Sequence, residues 1–303
     1  MPQGSVLGPI LFIIFINDFN SCFTDHRNLF LFADDAKIIQ TVKSVADCVQ
    51  LQSQLDEITK WSSNWQLPLA PSKCKTVTFC KGKPAFNHSY YIDSHPLEKV
   101  DKIVDLGIVF CNNLSFDDHV RDIFLRSSKR AAIINNCFVS REPDLLFRAF
   151  VSFVRPVIEY CCSLWSPYSL KNIRKLECVQ RRFTKRLAGL GDMPYCERLR
   201  SLGAETLELR RLKYDLTMYF KIFHGYVDLQ PADLFKMKTS ITRSNGLAVY
   251  INKTSSNAER YYFNNRASRA WNHLSSSVVH ASSVQHFKSL LNDVDLTSFL
   301  YCK

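Results

Sequence analysis

The sequence predicts an α/β fold over roughly its first hundred residues and a mainly α-helical remainder. Three observations lead there. Short, β-prone apolar arms flank two adjacent aspartates within residues 28–39. From Asp118 onward, apolar residues recur at helical spacings. Between Arg121 and Arg186, Lys and Arg outnumber Asp and Glu by 14 to 5, so most of the net charge of +11 rides on those helices.

Taken in order, the chain opens Pro2-Gln3-Gly4-Ser5-Val6-Leu7-Gly8-Pro9 and runs straight into the apolar residues 10–16. Proline suits the first helical turn, so a helix is expected from about Pro9. Its apolar residues surround the axis, which predicts burial. Gly4 and Gly8 would let the backbone approach a flat or charged ligand that a Cβ would obstruct.

Residues 28–39 read as a strand, a tight turn and a returning strand, with Asp34 and Asp35 at the turn. Paired carboxylates against apolar walls repel and lose hydration, so a raised pKa or a cation must compensate. Mg²⁺ suits them, because it prefers carboxylate oxygen and keeps positions open for phosphate. A solvated turn is the plain alternative for an isolated Ala-Asp-Asp.

Ser44 and Asp47 stand at capping-box spacing, and Val45, Val49, Leu51, Leu55, Ile58 and Trp65 mark an amphipathic helix behind them. Residues 67–75 then read as a loop entering a strand at 76–79. Asp117, Asp118 and His119 make an acidic helix start rather than a metal site. Helical patterns continue at 144–160, 170–187 and 207–224.

Within residues 174–186, the apolar Leu176, Val179 and Phe183 leave Arg174, Lys175, Arg181, Arg182 and Lys185 as a basic stripe. It suits sequence-independent contacts to a sugar-phosphate backbone, or a simple solvated face. Pro231 and the polar residues 239–256 read as a linker before a tail that contains residues 266–274 and 287–291.

Composition narrows the class. Apolar residues make up 46% and charged residues 22% of 303, which is globular composition, and the basic excess favours polyanionic partners. The eleven cysteines lack CxxC pairs or zinc-knuckle spacing, so buried, reduced thiols are expected. No Lys or Arg precedes the apolar run 10–15, which is too short to span a bilayer; neither secretion nor membrane insertion is expected.

Pro-Gln-Gly-Ser-x-Leu-Gly-Pro followed by Phe-Ala-Asp-Asp resembles the palm signature of reverse transcriptases, and the flanking residues resemble jockey-like non-LTR retrotransposons in particular. The resemblance implies a partial right-hand palm over residues 1–111, a helical basic thumb over 112–230 and a tail over 231–303. It implies RNA-directed DNA polymerase activity, a nucleotidyl transfer that uses two Mg²⁺ ions, with an RNA template, a DNA primer and deoxynucleoside triphosphates as partners.

Residue by residue, the same resemblance makes Asp34 the metal-binding aspartate of the catalytic hairpin and Asp35 its neighbour. Gln3, Gly4, Phe32 and Ala33 then line the template and incoming nucleotide. Lys73 matches a lysine thought to act near the pyrophosphate leaving group, although Ala70 stands where the family usually has Asn. Leu106 and Gly107 match the primer grip.

The family's other metal-binding aspartate lies upstream of the glutamine-glycine motif, and only Met1 precedes Pro2 here. A truncated polypeptide, inactive by itself, is therefore expected. The alternative is a non-catalytic nucleic-acid-binding remnant that uses the basic helices and ignores Asp34. Nuclear or cytoplasmic residence follows only from family analogy.

Overall fold

The computed structural model describes residues 4–22, 28–80, 82, 86, 88–238, 245–252, 254 and 257–301. Two compact units emerge, Met1–Leu114 and Ser115–Lys303.

The first unit is mixed. Helix α1 (Gly8–Ile16) has Pro9 in its first turn, close to the expected start, and Ser5 Oγ accepts a hydrogen bond from Gly8 N at 3.0 Å. A 3₁₀ turn (Asn17–Cys22) follows, and then strands β1 (Leu29–Phe32) and β2 (Asp35–Ile38) pair antiparallel. Helix α2 (Val45–Asn64) carries the expected capping box: Asp47 N donates to Ser44 Oγ at 3.3 Å while Asp47 Oδ2 accepts from Ser44 N at 2.8 Å.

Short strands complete the unit. Strand β3 (Lys75–Thr76) pairs parallel with β6 (Glu98–Lys99), β4 (Tyr91–Ile92) with β5 (His95–Pro96), and β7 (Lys102–Asp105) antiparallel with β8 (Ile108–Cys111). The strand expected at 76–79 is thus only the two residues of β3. Phe19, Leu29, Leu55, Ile58, Trp61 and Ile92 form the core, with the Phe19 ring edge-on to Trp61 at 4.8 Å.

Two sequence expectations fail here. Helix α1 buries none of its residues: Ile13 and Ile14 are 62% and 67% exposed. This unit covers only one side of an all-round apolar helix, the side where Phe15 meets Trp61 and Trp65. On α2 the buried stripe runs through Cys48, Leu55, Ile58, Trp61 and Ser62, whereas Val45, Val49 and Trp65 stay exposed. Val49 follows Cys48 by one residue, which turns it about 100° away from the core.

The second unit is helical. Its longer helices are α3 (Asp117–Cys137), α4 (Pro143–Phe153), α7 (Leu170–Lys185) and α9 (Leu207–Phe223); α5 (Arg155–Glu159), α6 (Cys162–Trp165) and α8 (Tyr195–Ser201) are short. The helix expected over 144–160 is two helices, because Pro156 has no N–H to give and disfavours helical geometry before it. Ser169 and Thr206 cap α7 and α9 by accepting from Asn172 N and Leu209 N.

Beyond α9 come α10 (Pro231–Leu234), α11 (Asn257–Arg260), α12 (Phe263–Arg266), α13 (Ser268–His273), α14 (Ser276–Val279) and α15 (Val284–Asn292). They fold onto α9: Leu216, Tyr219 and Phe220 share one core with Phe263, Trp271, Phe287 and Leu296. The described part of the expected linker belongs to it too. Val249 is 1% exposed, and Asn245 Nδ2 donates to the carbonyls of Trp271 and Leu274. Apolar Leu247-Ala248-Val249 within that polar stretch explains the packing; residues 239–244, 253, 255 and 256 lie outside the described residues.

Candidate nucleotidyl-transfer hairpin and basic helix

The hairpin of β1 and β2 forms because alternation splits its side chains between two faces. Leu29 pairs with Ile38 and Leu31 with Ala36 on the core side; Phe30 pairs with Lys37 and Phe32 with Asp35 on the outer side. Phe32 and Asp35 face each other across the strands, so Ala33 and Asp34 are the whole turn. Ala33 adopts a left-handed φ of 51°, which costs a non-glycine residue about 1 kcal/mol.

Asp34 and Asp35 are both exposed at this tip, and their carboxylates make no ion pair or hydrogen bond among the described residues. The expected loss of hydration against apolar walls does not arise within this unit. The walls are themselves open: Phe30 is 51% and Phe32 64% exposed.

A second hairpin is tied to the first. In β7 and β8 the register leaves Leu106 and Gly107 as a two-residue turn with φ of 45° and 81°, the paired left-handed geometry that suits the twist of flanking strands. Lys37 Nζ reaches Asp105 Oδ2, so the residue two beyond Asp35 grips the residue before Leu106. With side chains 43% and 21% exposed, this pair contributes at most about 1 kcal/mol, and its importance is positional. Sequence reasoning missed it; no local pattern links positions so far apart.

Gly4 has φ of 84°, and among the described residues nothing lies within 4 Å of where its Cβ would stand. Gln3 lies outside the described residues. Lys73 ends the 3₁₀ turn Pro71–Lys73, is exposed, and makes no ion pair among the described residues.

A metal fits the hairpin by donor chemistry, since two free carboxylates match what Mg²⁺ takes when it binds through one or two acids plus substrate phosphates. Among the described residues there is no group of three or more His, Cys, Asp or Glu side chains that could hold one alone. Asp117 and His119 serve packing instead. Asp117 accepts from Asn172 Nδ2, and His119 lies edge-on to Trp165 at 5.1 Å, where burial pushes its imidazole down to about 4. The described cysteines are free thiols, but the expected burial holds only for Cys48 and Cys162, whereas Cys80, Cys137, Cys161 and Cys196 are exposed; no described helix is long and apolar enough to cross a membrane.

On α7 the apolar face is buried at Ile173, Leu176, Val179 and Phe183. Arg174, Arg181, Arg182 and Lys185 point outward and make no ion pair among the described residues. Lys175 differs: it is half-buried with its ammonium 5.4 Å from the centre of the Phe124 ring. Arg181 lies over Tyr195 at 4.7 Å. Uncompensated exposed cations raise the local potential and suit a polyanion.

Residues 1–110 match the family "Reverse transcriptase (RNA-dependent DNA polymerase)", and the first hairpin, Lys73 and the turn of the second hairpin fall inside the matched segment. The chain is 24% identical over 268 residues to the "RNA-directed DNA polymerase from mobile element jockey" of Drosophila melanogaster, covering 83% of this chain and 27% of that protein. It is 25% identical over 225 residues to the "Probable RNA-directed DNA polymerase from transposon BS" of the same organism, covering 69% and 24%. A third relative is the "Probable RNA-directed DNA polymerase from transposon X-element", 23% identical over 198 residues, covering 62% and 22%.

The chain therefore spans about a quarter of the length of each of these three relatives. No solved structure matches it. Residues 1–110 thus match the reverse transcriptase family, and the chain is similar over most of its length to RNA-directed DNA polymerases of the mobile element jockey.

Proposed function

We propose that the chain is part of the RNA-directed DNA polymerase of a jockey-like non-LTR retrotransposon. The observation that carries this is the pair of exposed, unpaired carboxylates at the tip of β1 and β2, inside the family-matched segment. In this reading Asp34 and Asp35 hold Mg²⁺, whose charge would stabilise the attacking and leaving oxygens when a primer 3′-hydroxyl displaces pyrophosphate from a deoxynucleoside triphosphate.

Residues 1–111 are then a partial palm, 112–230 a thumb and 231–303 a tail. Gln3, Gly4, Phe32 and Ala33 border the template and incoming nucleotide, and Leu106 with Gly107 supports the primer end. Lys73 supplies a proton or a fixed positive charge to the leaving pyrophosphate. Arg174, Lys175, Arg181, Arg182 and Lys185 follow the sugar-phosphate backbone of the RNA template and DNA primer.

Two carboxylates on one hairpin are half of what a two-metal transfer needs, and the described residues offer no further acid beside them. We infer that this polypeptide alone binds a primer annealed to RNA but does not extend it. Gel analysis of extension with Mg²⁺ and deoxynucleotides, alongside binding with and without EDTA, tests this. The expected outcome is EDTA-insensitive binding, unchanged by Asp34→Ala, with no added nucleotides. Extension that vanishes in Asp34→Ala would overturn the inferred inactivity; absence of binding would overturn the nucleic-acid reading.

A non-catalytic nucleic-acid-binding role is the second reading, and the unpaired cations of α7 favour it. The two readings diverge at Asp34, Asp35 and Lys73, which that role leaves unused.

A further inference from the structure

Tyr168 and Tyr261 lie ring on ring, with centroids 4.3 Å apart and planes 2° from parallel. Tyr301 meets Tyr261 edge-on at 6.4 Å. Tyr168 remains 44% and Tyr301 53% exposed. One face of the Tyr168 ring is spent on Tyr261, and the residue still keeps 44% of its surface in solvent.

Two tyrosines can stack merely to shield each other from water. Their position argues for more. Tyr168 stands directly before Ser169, the residue that caps α7, so it sits at the start of the helix whose Lys171 and Arg174 are exposed and make no ion pair among the described residues. Arg269 is exposed as well, and its guanidinium lies near enough to the Tyr301 hydroxyl to act on it electrostatically. Aromatic faces beside a cationic track are what single-stranded nucleic acid uses: the cations follow the backbone while bases stack on the rings, whatever their sequence.

We propose that Tyr168, Tyr261 and Tyr301 form a stacking platform for an unpaired base of a nucleic-acid strand that runs along the basic face of α7. The platform rests on the reading of α7 as a backbone-binding helix and adds to it a preference for single strands. A duplex presents no free base face at its side, so only an unpaired strand gains from the rings.

Fluorescence anisotropy of the full chain with a short labelled single strand and with a duplex of the same length tests this. Tyr168→Ala is expected to weaken single-strand binding about tenfold while leaving the duplex within about twofold. In Tyr168→Trp, single-strand affinity is retained, and the new indole emission is quenched by the single strand and not by the duplex. Equal losses on both ligands, or an unquenched indole at 168, would overturn the platform. Binding that survives Tyr168→Ala but collapses for both ligands in Arg174→Ala/Arg181→Ala would overturn the platform and leave the α7 reading standing. Failure of the unaltered chain to bind either ligand would overturn both.

Discussion

Replacing Arg174, Arg181, Arg182 and Lys185 together by alanine is expected to weaken binding of an RNA–DNA hybrid by roughly a hundredfold or more at about 0.1 M salt. Each phosphate contact releases close to one counterion, worth on the order of 1 kcal/mol at that salt. The four side chains project from one buried-face helix and have no acidic partner among the described residues, so their field is free for a ligand. Titrations at several salt concentrations should show a log–log slope shallower by about 3 to 4 in the variant. Lys175→Ala alone should matter less, because its ammonium is already engaged over Phe124.

The second large effect is on stability. Arg266→Ala is expected to destabilise the helical unit by about 3 kcal/mol, measured by urea unfolding. Arg266 Nε and Nη2 both donate to Asp215 at 2.8 Å, and the two side chains are 11% and 3% exposed. Nη2 also reaches the Ser163 carbonyl, so one guanidinium joins α9, α12 and the α6 turn. Its loss leaves a buried carboxylate without its main counterion. The effect is placed at the lower end of the range for broken buried pairs because Arg211, itself buried, also acts on Asp215. Arg266→Met with Asp215→Leu should recover much of the loss by removing the stranded charge.

What the sequence revealed depended on how local each feature was. The hairpin at Asp34 was legible because apolar arms and a carboxylate turn sit within a dozen residues. The start of α2 was legible from Ser44 and Asp47 alone. The buried face of α2 was not: periodicity marks an apolar stripe, whereas neighbours decide which part of it is covered, and Trp61 rather than Trp65 became the core residue. Pro156 was present in the apparent single helix over 144–160, but the pattern on either side concealed the break. Leu247-Ala248-Val249 was hidden in a polar stretch, and its anchor, Trp271, lies outside it.

The site divides in the same way. Residues 32–35 and 106–107 were identified through motif resemblance, and the structure makes Ala33-Asp34 and Leu106-Gly107 two-residue turns, with Phe32 and Asp35 paired across the base of the first. The Lys37–Asp105 tie and the Tyr168–Tyr261 stack each join distant segments and leave no mark in local spacing. Exposure of the two carboxylates was likewise invisible, because it depends on what stands over Phe30 and Phe32 in space rather than on what precedes them in the chain.

The most direct measurement is electron paramagnetic resonance of Mn²⁺, standing in for Mg²⁺, titrated into the chain with a deoxynucleoside triphosphate and a primer annealed to RNA. If the carboxylate hairpin cradles the catalytic cation, Mn²⁺ binds in the ternary mixture and that binding is lost in Asp34→Asn while affinity for the hybrid is kept. Identical Mn²⁺ binding by the unaltered chain and Asp34→Asn would contradict the assignment and leave only the basic helices to explain any contact with nucleic acid.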